Sequence, residues 1–291
     1  MILPPEESVL FFKLYKNLLL FTNSHWQLYE NLKTVEELDS LGTKRQVEIR
    51  NKLYEDVNII DEFCESNPAN LSELELGQII QWKNFIKDRF LFYKQYKKYC
   101  AVFYGKESVV LGITGLTRPF GEILPFFPIY VETVLLPFKD KIISDGYFET
   151  YSIHFGGNIK RILKNDFDIA KNKFGIIEKL PIEQFSGDIE AKINLLKYYI
   201  KNADKSPEFE YNIEELISEE PSLIKIYHQE LGIRYAKIYS KKLGNFGLGK
   251  IWFACLDEII VASGQNEQEL KKNIDNVVPD EIKEFLYIFK P

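Results

Sequence analysis

The residues best suited to chemistry are a glycine pair followed by two cations. Gly156 and Gly157 open a predicted helix over residues 158–174, and Lys160 and Arg161 fall in its first turn. Free backbone N–H groups and the positive end of a helix attract anions. The spacing therefore predicts a phosphate site. The alternative is a strand exit in which glycine only bends the chain, because the pattern is neither a Walker A nor a Rossmann fingerprint.

A second group of cations lies among aromatic residues between residues 87 and 99. Lysines neutralise phosphates and exposed rings stack on bases, so the segment suits a nucleic acid. On a regular strand Phe92, Lys94 and Tyr96 share one side, which leaves neither side cleanly basic. Ordinary sheet packing, with rings in the core and lysines in water, is the alternative. The candidate binding residues from both groups are Lys94, Lys97, Lys98, Gly156, Gly157, Lys160, Arg161 and Lys164.

Catalytic patterns are weaker than these binding patterns. The three histidines, His25, His154 and His228, fall in no zinc-binding spacing. Asp145, Glu149 and His154 are close enough in sequence to form an acid–base group. Together with the glycine pair, that group would suit a hydrolase or transferase acting on a phosphorylated substrate. We expect no metal and no cofactor, and we favour a non-enzymatic binding or regulatory protein over an enzyme.

The segments that position these residues predict an α+β fold in three parts. Residues 1–88 have the apolar spacing of helices, and Ser72 and Glu75 form a capping box. Residues 89–180 are β-rich, with Asp145-Gly146 as a hairpin turn, and predict an antiparallel sheet or small barrel. Residues 181–291 predict helices, an acidic linker or lid over 202–221, and a ββαβ unit.

Charge is unevenly distributed along the chain. Formal charges give −6 for residues 1–86, +5 for 87–173 and −5 for 174–291. A basic middle between acidic flanks predicts a phosphate-bearing partner such as nucleic acid. A protein partner is the other possibility, through an exposed aromatic patch around Trp26 and Tyr29 in the helical front.

The sequence also predicts the cellular setting. Its acidic start lacks the basic residues of a signal peptide, and the most apolar helix, over residues 9–21, is too short and too charged to span a bilayer. Cys64, Cys100 and Cys255 show neither metal spacing nor a disulfide framework. We therefore expect a cytoplasmic protein that does not associate with membranes.

One stretch resembles a known family. The runs GITGLT (residues 112–117) and VETVLLPFKDKIISDG (residues 131–146) are similar to a family of uncharacterised bacterial proteins. The resemblance extends from the helix at Ser72 to about Leu180. It implies a bacterial, cytoplasmic setting and assigns no activity or site residue.

Overall fold

The computed structural model describes residues 1–105, 109–151, 153, 155–182, 189–205 and 207–291. It confirms the α+β fold and divides the chain into two compact units, Met1–Phe185 and Ser186–Pro291. The predicted boundary after residue 88 falls inside the first unit, because the N-terminal helices and two of the strands share one hydrophobic core. The predicted boundary after residue 180 lies close to the observed division.

The first unit begins with a group of helices around a shared core. The Ser72 hydroxyl accepts from the Glu75 N–H at 3.4 Å, and the Glu75 carboxylate accepts from the Ser72 N–H at 2.9 Å. This capping box satisfies backbone donors that would otherwise lack partners at the start of the fifth helix. The bounds are α1 (Pro5–Trp26), α2 (Val35–Ser40), α3 (Thr43–Glu55), α4 (Asn58–Ser66) and α5 (Glu73–Gln81).

The next five strands close into a barrel. β1 pairs with β2 and β2 with β3, both antiparallel; β3 pairs with β5 in parallel; β5 pairs with β4 and β4 returns to β1, both antiparallel. Of the two predicted alternatives, an antiparallel sheet or a small barrel, the barrel forms. One of its strand pairs, β3 with β5, is parallel. The bounds are β1 (Ile86–Gln95), β2 (Cys100–Tyr104), β3 (Val109–Thr114), β4 (Ile129–Phe138) and β5 (Lys141–Ser144).

Aromatic and branched side chains fill the barrel. Phe90, Phe92, Leu111 and Val131 point inward and are fully buried. A short helix, α6 (Phe120–Ile123), lies between β3 and β4, and the Phe120 ring packs edge-on against Phe92 with centroids 5.3 Å apart. A further strand, β6 (Glu149–Tyr151), pairs with β4 outside the ring.

The predicted hairpin at Asp145-Gly146 is wrong. β5 and β6 do not pair with each other, because both pair with β4. The tight turn of the β4–β5 hairpin is instead Lys139-Asp140, where Lys139 has φ +53°. Gly146 does adopt the positive φ of a turn, at +91°, but it lies in the connection between β5, which ends opposite Leu135, and β6, which begins opposite Glu132 of the same strand.

The two outer faces of the barrel have different covers. Residues of β4 and β5, among them Leu136, Phe138 and Ile143, belong to the core of the N-terminal helices. The outer face of β2 and β3 is covered by α7 (Gly157–Phe174), whose Phe167 packs against Ala101. The barrel therefore leaves neither of these faces bare.

The second unit pairs helices with a small sheet. The strand order is β8–β7–β9; α10 packs on one face through Ala236, and α11 packs on the other through Leu270. This confirms the predicted ββαβ unit. The bounds are α8 (Ile189–Asn202), α9 (Glu208–Glu219), α10 (Ile224–Asn245), β7 (Trp252–Leu256), β8 (Ile259–Gly264), α11 (Glu267–Val277), α12 (Asp280–Lys283) and β9 (Tyr287–Phe289).

The acidic stretch over residues 202–221 is mostly helix rather than linker. Phe209, Ile213 and Leu216 recur at helical spacing and are buried in α9. Their burial against neighbouring helices outweighs the charge of the exposed face. Among the described residues, no helix combines the length and apolar character needed to cross a bilayer.

Candidate anion-binding surface

The first group of predicted cations lies at the turn between β1 and β2. The Tyr96 N–H donates to the Tyr99 carbonyl at 2.8 Å, which makes Lys97 and Lys98 the two central residues of the turn. Both lysine side chains are exposed. The Gln95 amide donates to the carbonyls of Tyr96 and Tyr99, at 2.7 and 3.1 Å, and so ties the turn to the end of β1.

A β-bulge changes the predicted distribution of side chains on β1. Phe92 pairs with Val102, whereas Lys94 pairs with Ala101, so the register shifts between them. Because of the extra residue, Lys94 no longer shares a side with Phe92, as regular alternation had predicted. It lies opposite an alanine of the outer cluster, and its side chain is exposed.

Stacked rings connect this turn to α7. The Lys94 ammonium lies 5.4 Å from the centre of the Tyr96 ring. Tyr96 in turn stacks on Phe167 with centroids 5.6 Å apart, and Tyr93 stacks on Phe167 at 5.2 Å. Burial raises the pKa of the Tyr96 phenol to about 12, so the ring stays neutral beside the lysine. The two cation groups therefore flank one aromatic cluster.

The second group lies on the exposed part of α7. Phe167 and Ala170 are its buried residues, whereas Lys160, Arg161 and Lys164 are exposed. No acidic residue occupies its first turn, although α1, α5, α9 and α11 each carry two. Cations near a helix N-terminus oppose the helix dipole and cost stability. An anion bound there would remove that cost.

The glycine pair is exposed at the start of α7. Gly156 precedes the helix with φ −66°, a conformation open to any residue, and no side chain caps the helix there. A Cβ atom at Gly156 or Gly157 would meet no atom within 4 Å. The backbone does not require glycine at these positions, so the bend proposed as the alternative does not explain the pair.

The predicted cations differ from Lys139 and Lys141 of the β4–β5 hairpin in their partners. Lys139 and Lys141 both pair with Glu7, at 2.8 and 3.3 Å. In contrast, no carboxylate of the described residues lies within ion-pairing distance of the six predicted cations, which are Lys94, Lys97, Lys98, Lys160, Arg161 and Lys164. Their charge is available to a ligand.

Two residues of the acid–base group expected near β6 are described, and they do not share an open site. Asp145 is fully buried and lies 3.3 Å from the Arg50 guanidinium, while the Thr133 hydroxyl donates to it at 3.2 Å. Glu149 is exposed on β6, and His154 lies outside the described residues. Among the described residues, no group of three His, Cys, Asp or Glu side chains could hold a metal ion.

The helical front shows isolated contacts rather than a broad aromatic patch. Trp26 is 40% exposed, and the Lys52 ammonium lies 5.3 Å from its ring centre. The Tyr29 hydroxyl donates to the Glu48 carboxylate. These polar contacts cover part of the two rings expected to meet a protein partner.

The sequence reasoning missed the residue that joins the two cation groups. Phe167 anchors α7 to the rings of the β1–β2 turn. Its signal was present, because Leu163, Phe167, Ala170 and Phe174 follow the spacing i, i+4, i+7, i+11 of one helix face. The surface that Phe167 meets could not be predicted in the same way, since its rings, Tyr93 and Tyr96, lie far from α7 in sequence.

Comparisons with known proteins give no relative for this chain. No family model matches it, and neither a curated protein nor a solved structure is detectably similar. The likeness of residues 112–146 to an uncharacterised bacterial family stays a prediction. The function is therefore inferred from the geometry of the molecule itself.

Proposed function

We propose that this protein is a non-enzymatic binding protein whose first unit contacts a phosphate-bearing polymer, a single-stranded nucleic acid. The contact surface consists of Lys94, Lys97 and Lys98 near the β1–β2 turn, with Lys160, Arg161 and Lys164 of α7. The observation that carries the proposal is that these exposed cations, which have no carboxylate partner among the described residues, lie on two elements that meet at the Phe167 ring. Surface cations usually find such partners or counterions, and phosphates replace both.

The barrel architecture supports the choice of a nucleic acid. The strand order β1–β2–β3–β5–β4 with closure onto β1 resembles that of the OB fold, a five-stranded barrel that binds oligonucleotides on strands 2 and 3 and adjacent loops. The likeness is one of architecture and assigns no function by itself. In this chain α7 covers that face, so a strand would meet α7 and the β1–β2 turn instead.

The shape of the surface favours a single strand over a duplex. Exposed cations at a turn and along one helix can follow a flexible backbone. We expect weak sequence preference and a strong dependence on salt, because phosphate contacts release counterions.

Fluorescence polarisation with labelled 20-nucleotide DNA and RNA tests the proposal. Replacing Lys160, Arg161 and Lys164 together by Glu should weaken binding at least tenfold at low salt. The slope of log affinity against log salt should also fall by about 2, since three single-strand phosphate contacts are lost. A second variant replaces Lys94, Lys97 and Lys98 by Glu, and it should also weaken binding.

The matched control replaces three exposed lysines of α10 in the second unit by Glu, and so changes the net charge by the same amount. These lysines are Lys237, Lys241 and Lys242. The affinity of this control should stay within about threefold of the unaltered protein. The proposal fails if the unaltered protein does not bind at 50 mM salt, or if the control variant loses as much affinity as the α7 variant.

A further inference from the structure

The second unit contains a cavity of about 450 Å³ between α8, α9, α10 and the β7–β8 turn. Its volume falls in the range of small-molecule sites. Apolar side chains, among them Ile213, Leu231 and Leu256, form part of its lining, and the rings of Tyr227 and Tyr235 form another part. Such walls suit a ligand with an aliphatic portion.

The remaining lining gives the cavity a negative charge. Five carboxylates line it, against the single cation Arg234: Asp204, Glu210, Glu214, Asp257 and Glu258. Arg234 pairs with Asp204 and donates to the Ile200 carbonyl at 3.0 Å, so it neutralises one of the five. The cavity therefore favours a cation.

The other carboxylates differ in how they are held. Asp257 has φ +50° at the β7–β8 turn, and its carboxylate lies 2.7 Å from the Nδ1 atom of His228. Among the described residues, Glu210 and Glu214 have no cation within pairing distance. They are four residues apart on α9, a spacing at which like charges repel.

The cavity lining also contains the phenol of Tyr227. Burial raises the pKa of Tyr227, and Asp257, Glu210 and Glu214 raise it further. Carboxylates from α9 and from the β7–β8 turn thus line the same cavity as this tyrosine ring. A ring of this kind attracts an ammonium group through its face, and the carboxylates add to that attraction.

The separation between the carboxylates determines which kind of cation the cavity favours. Among the described residues, no three of them lie close enough together to hold one metal ion. Several separated ammonium groups on an aliphatic chain would match both the separated charges and the apolar walls. We propose that this cavity binds a linear aliphatic polyamine, with Glu210 and Glu214 as the carboxylates that receive its ammonium groups.

Isothermal titration calorimetry of the full chain with spermidine at 20 mM salt tests this site. The double variant Glu210→Gln and Glu214→Gln keeps the side-chain shapes and removes both charges, and it should weaken binding at least tenfold. The control, Glu215→Gln with Glu219→Gln, makes the same change on the same helix, at exposed positions outside the cavity lining. It should change the affinity less than twofold.

Thermal unfolding of both double variants verifies that each is folded, and the cavity variant should be at least as stable as the unaltered protein because a repulsion is removed. The proposal is overturned if spermidine does not bind, if both double variants weaken binding equally, or if Mg²⁺ binds with the same dependence on Glu210 and Glu214. The titration contains no nucleic acid, so its failure leaves the proposed function of the first unit untouched.

Discussion

The two covered faces of the barrel differ in how deeply their helices are buried. On the face of β4 and β5, α1 contributes Phe11, Leu14 and Leu18, all with no exposed surface. On the face of β2 and β3, α7 buries only Phe167 and Ala170, at 5% and 4% exposed. The first cover is part of the main core, whereas the second is a single helix with two buried side chains.

The first unit therefore has one face that holds the fold together and another face beside which the proposed phosphate-binding cations lie. A face built into the core cannot open without unfolding, because the free energy lost would approach the whole stability of a domain. A face covered by one helix with few buried contacts can open locally at lower cost. The exposed cations proposed to bind phosphate lie on or beside this second cover.

The largest expected effect is at Phe11 on the deeply buried face. Phe11→Ala removes a ring that packs against Tyr15, Trp82 and Phe138, and should lower the free energy of unfolding by about 4 kcal/mol. Urea unfolding followed by tryptophan fluorescence measures it. A loss below about 1 kcal/mol would show that this face is not the main core.

The second effect is the pH dependence of the buried pair on the same face. Burial raises the pKa of Asp145 to about 6, although Arg50 opposes the shift, and the nearby Tyr15, Tyr54 and Tyr147 stay neutral because their pKa values are raised. A raised carboxyl pKa favours the folded state below the unfolded value of 3.8, and this contribution is lost as pH rises through 6.

The contribution of this pair is the free energy of unfolding of the unaltered protein minus that of the double variant Arg50→Met and Asp145→Asn. It should fall by at most about 1.4 kcal/mol per pH unit between pH 4 and pH 6. Urea unfolding at several pH values measures it. A difference that rises with pH over this interval would mean that Arg50, and not burial, dominates the pKa of Asp145.

The third effect makes the same substitution on the other face. Phe167→Ala should cost about 2 kcal/mol, roughly half the loss at Phe11, because α7 is covered by protein on one side only. Urea unfolding under the conditions used for Phe11→Ala gives the direct comparison. Equal losses at the two positions would remove the distinction between the two covers.

The smallest effect is local opening in the unaltered protein. Backbone amides of α7 should exchange with deuterium at least tenfold faster than those in the middle of α1, because fewer buried contacts hold α7. Hydrogen exchange followed by mass spectrometry measures both helices in one sample. Equal protection of the two would indicate that α7 opens only with the whole unit.

Local sequence signals predicted local structure well. The Ser72–Glu75 capping box, the ββαβ unit and the strands of the barrel follow from spacing that a few neighbouring residues define. The exposure of the candidate cations also followed, since lysine and arginine seldom lie in a core. The helix α9 was missed because the charge of its exposed face obscured the spacing of Phe209, Ile213 and Leu216.

Features that depend on distant residues could not be predicted in this way. The bulge after Phe92 appears only when β1 is paired with β2, and the burial of Asp145 depends on Arg50 in a helix far away in sequence. The link between the two cation groups depends on Phe167 meeting Tyr93 and Tyr96. A single sequence shows these residues but does not show which of them are in contact.

Closure of the ring between β1 and β4 has a consequence for how the chain reaches this structure. Phe90 pairs with Val131, and the residues between them must be brought into a loop before the pair can form. Contacts of such sequence separation slow the search for the native state, so we expect refolding of the first unit in milliseconds to seconds rather than microseconds.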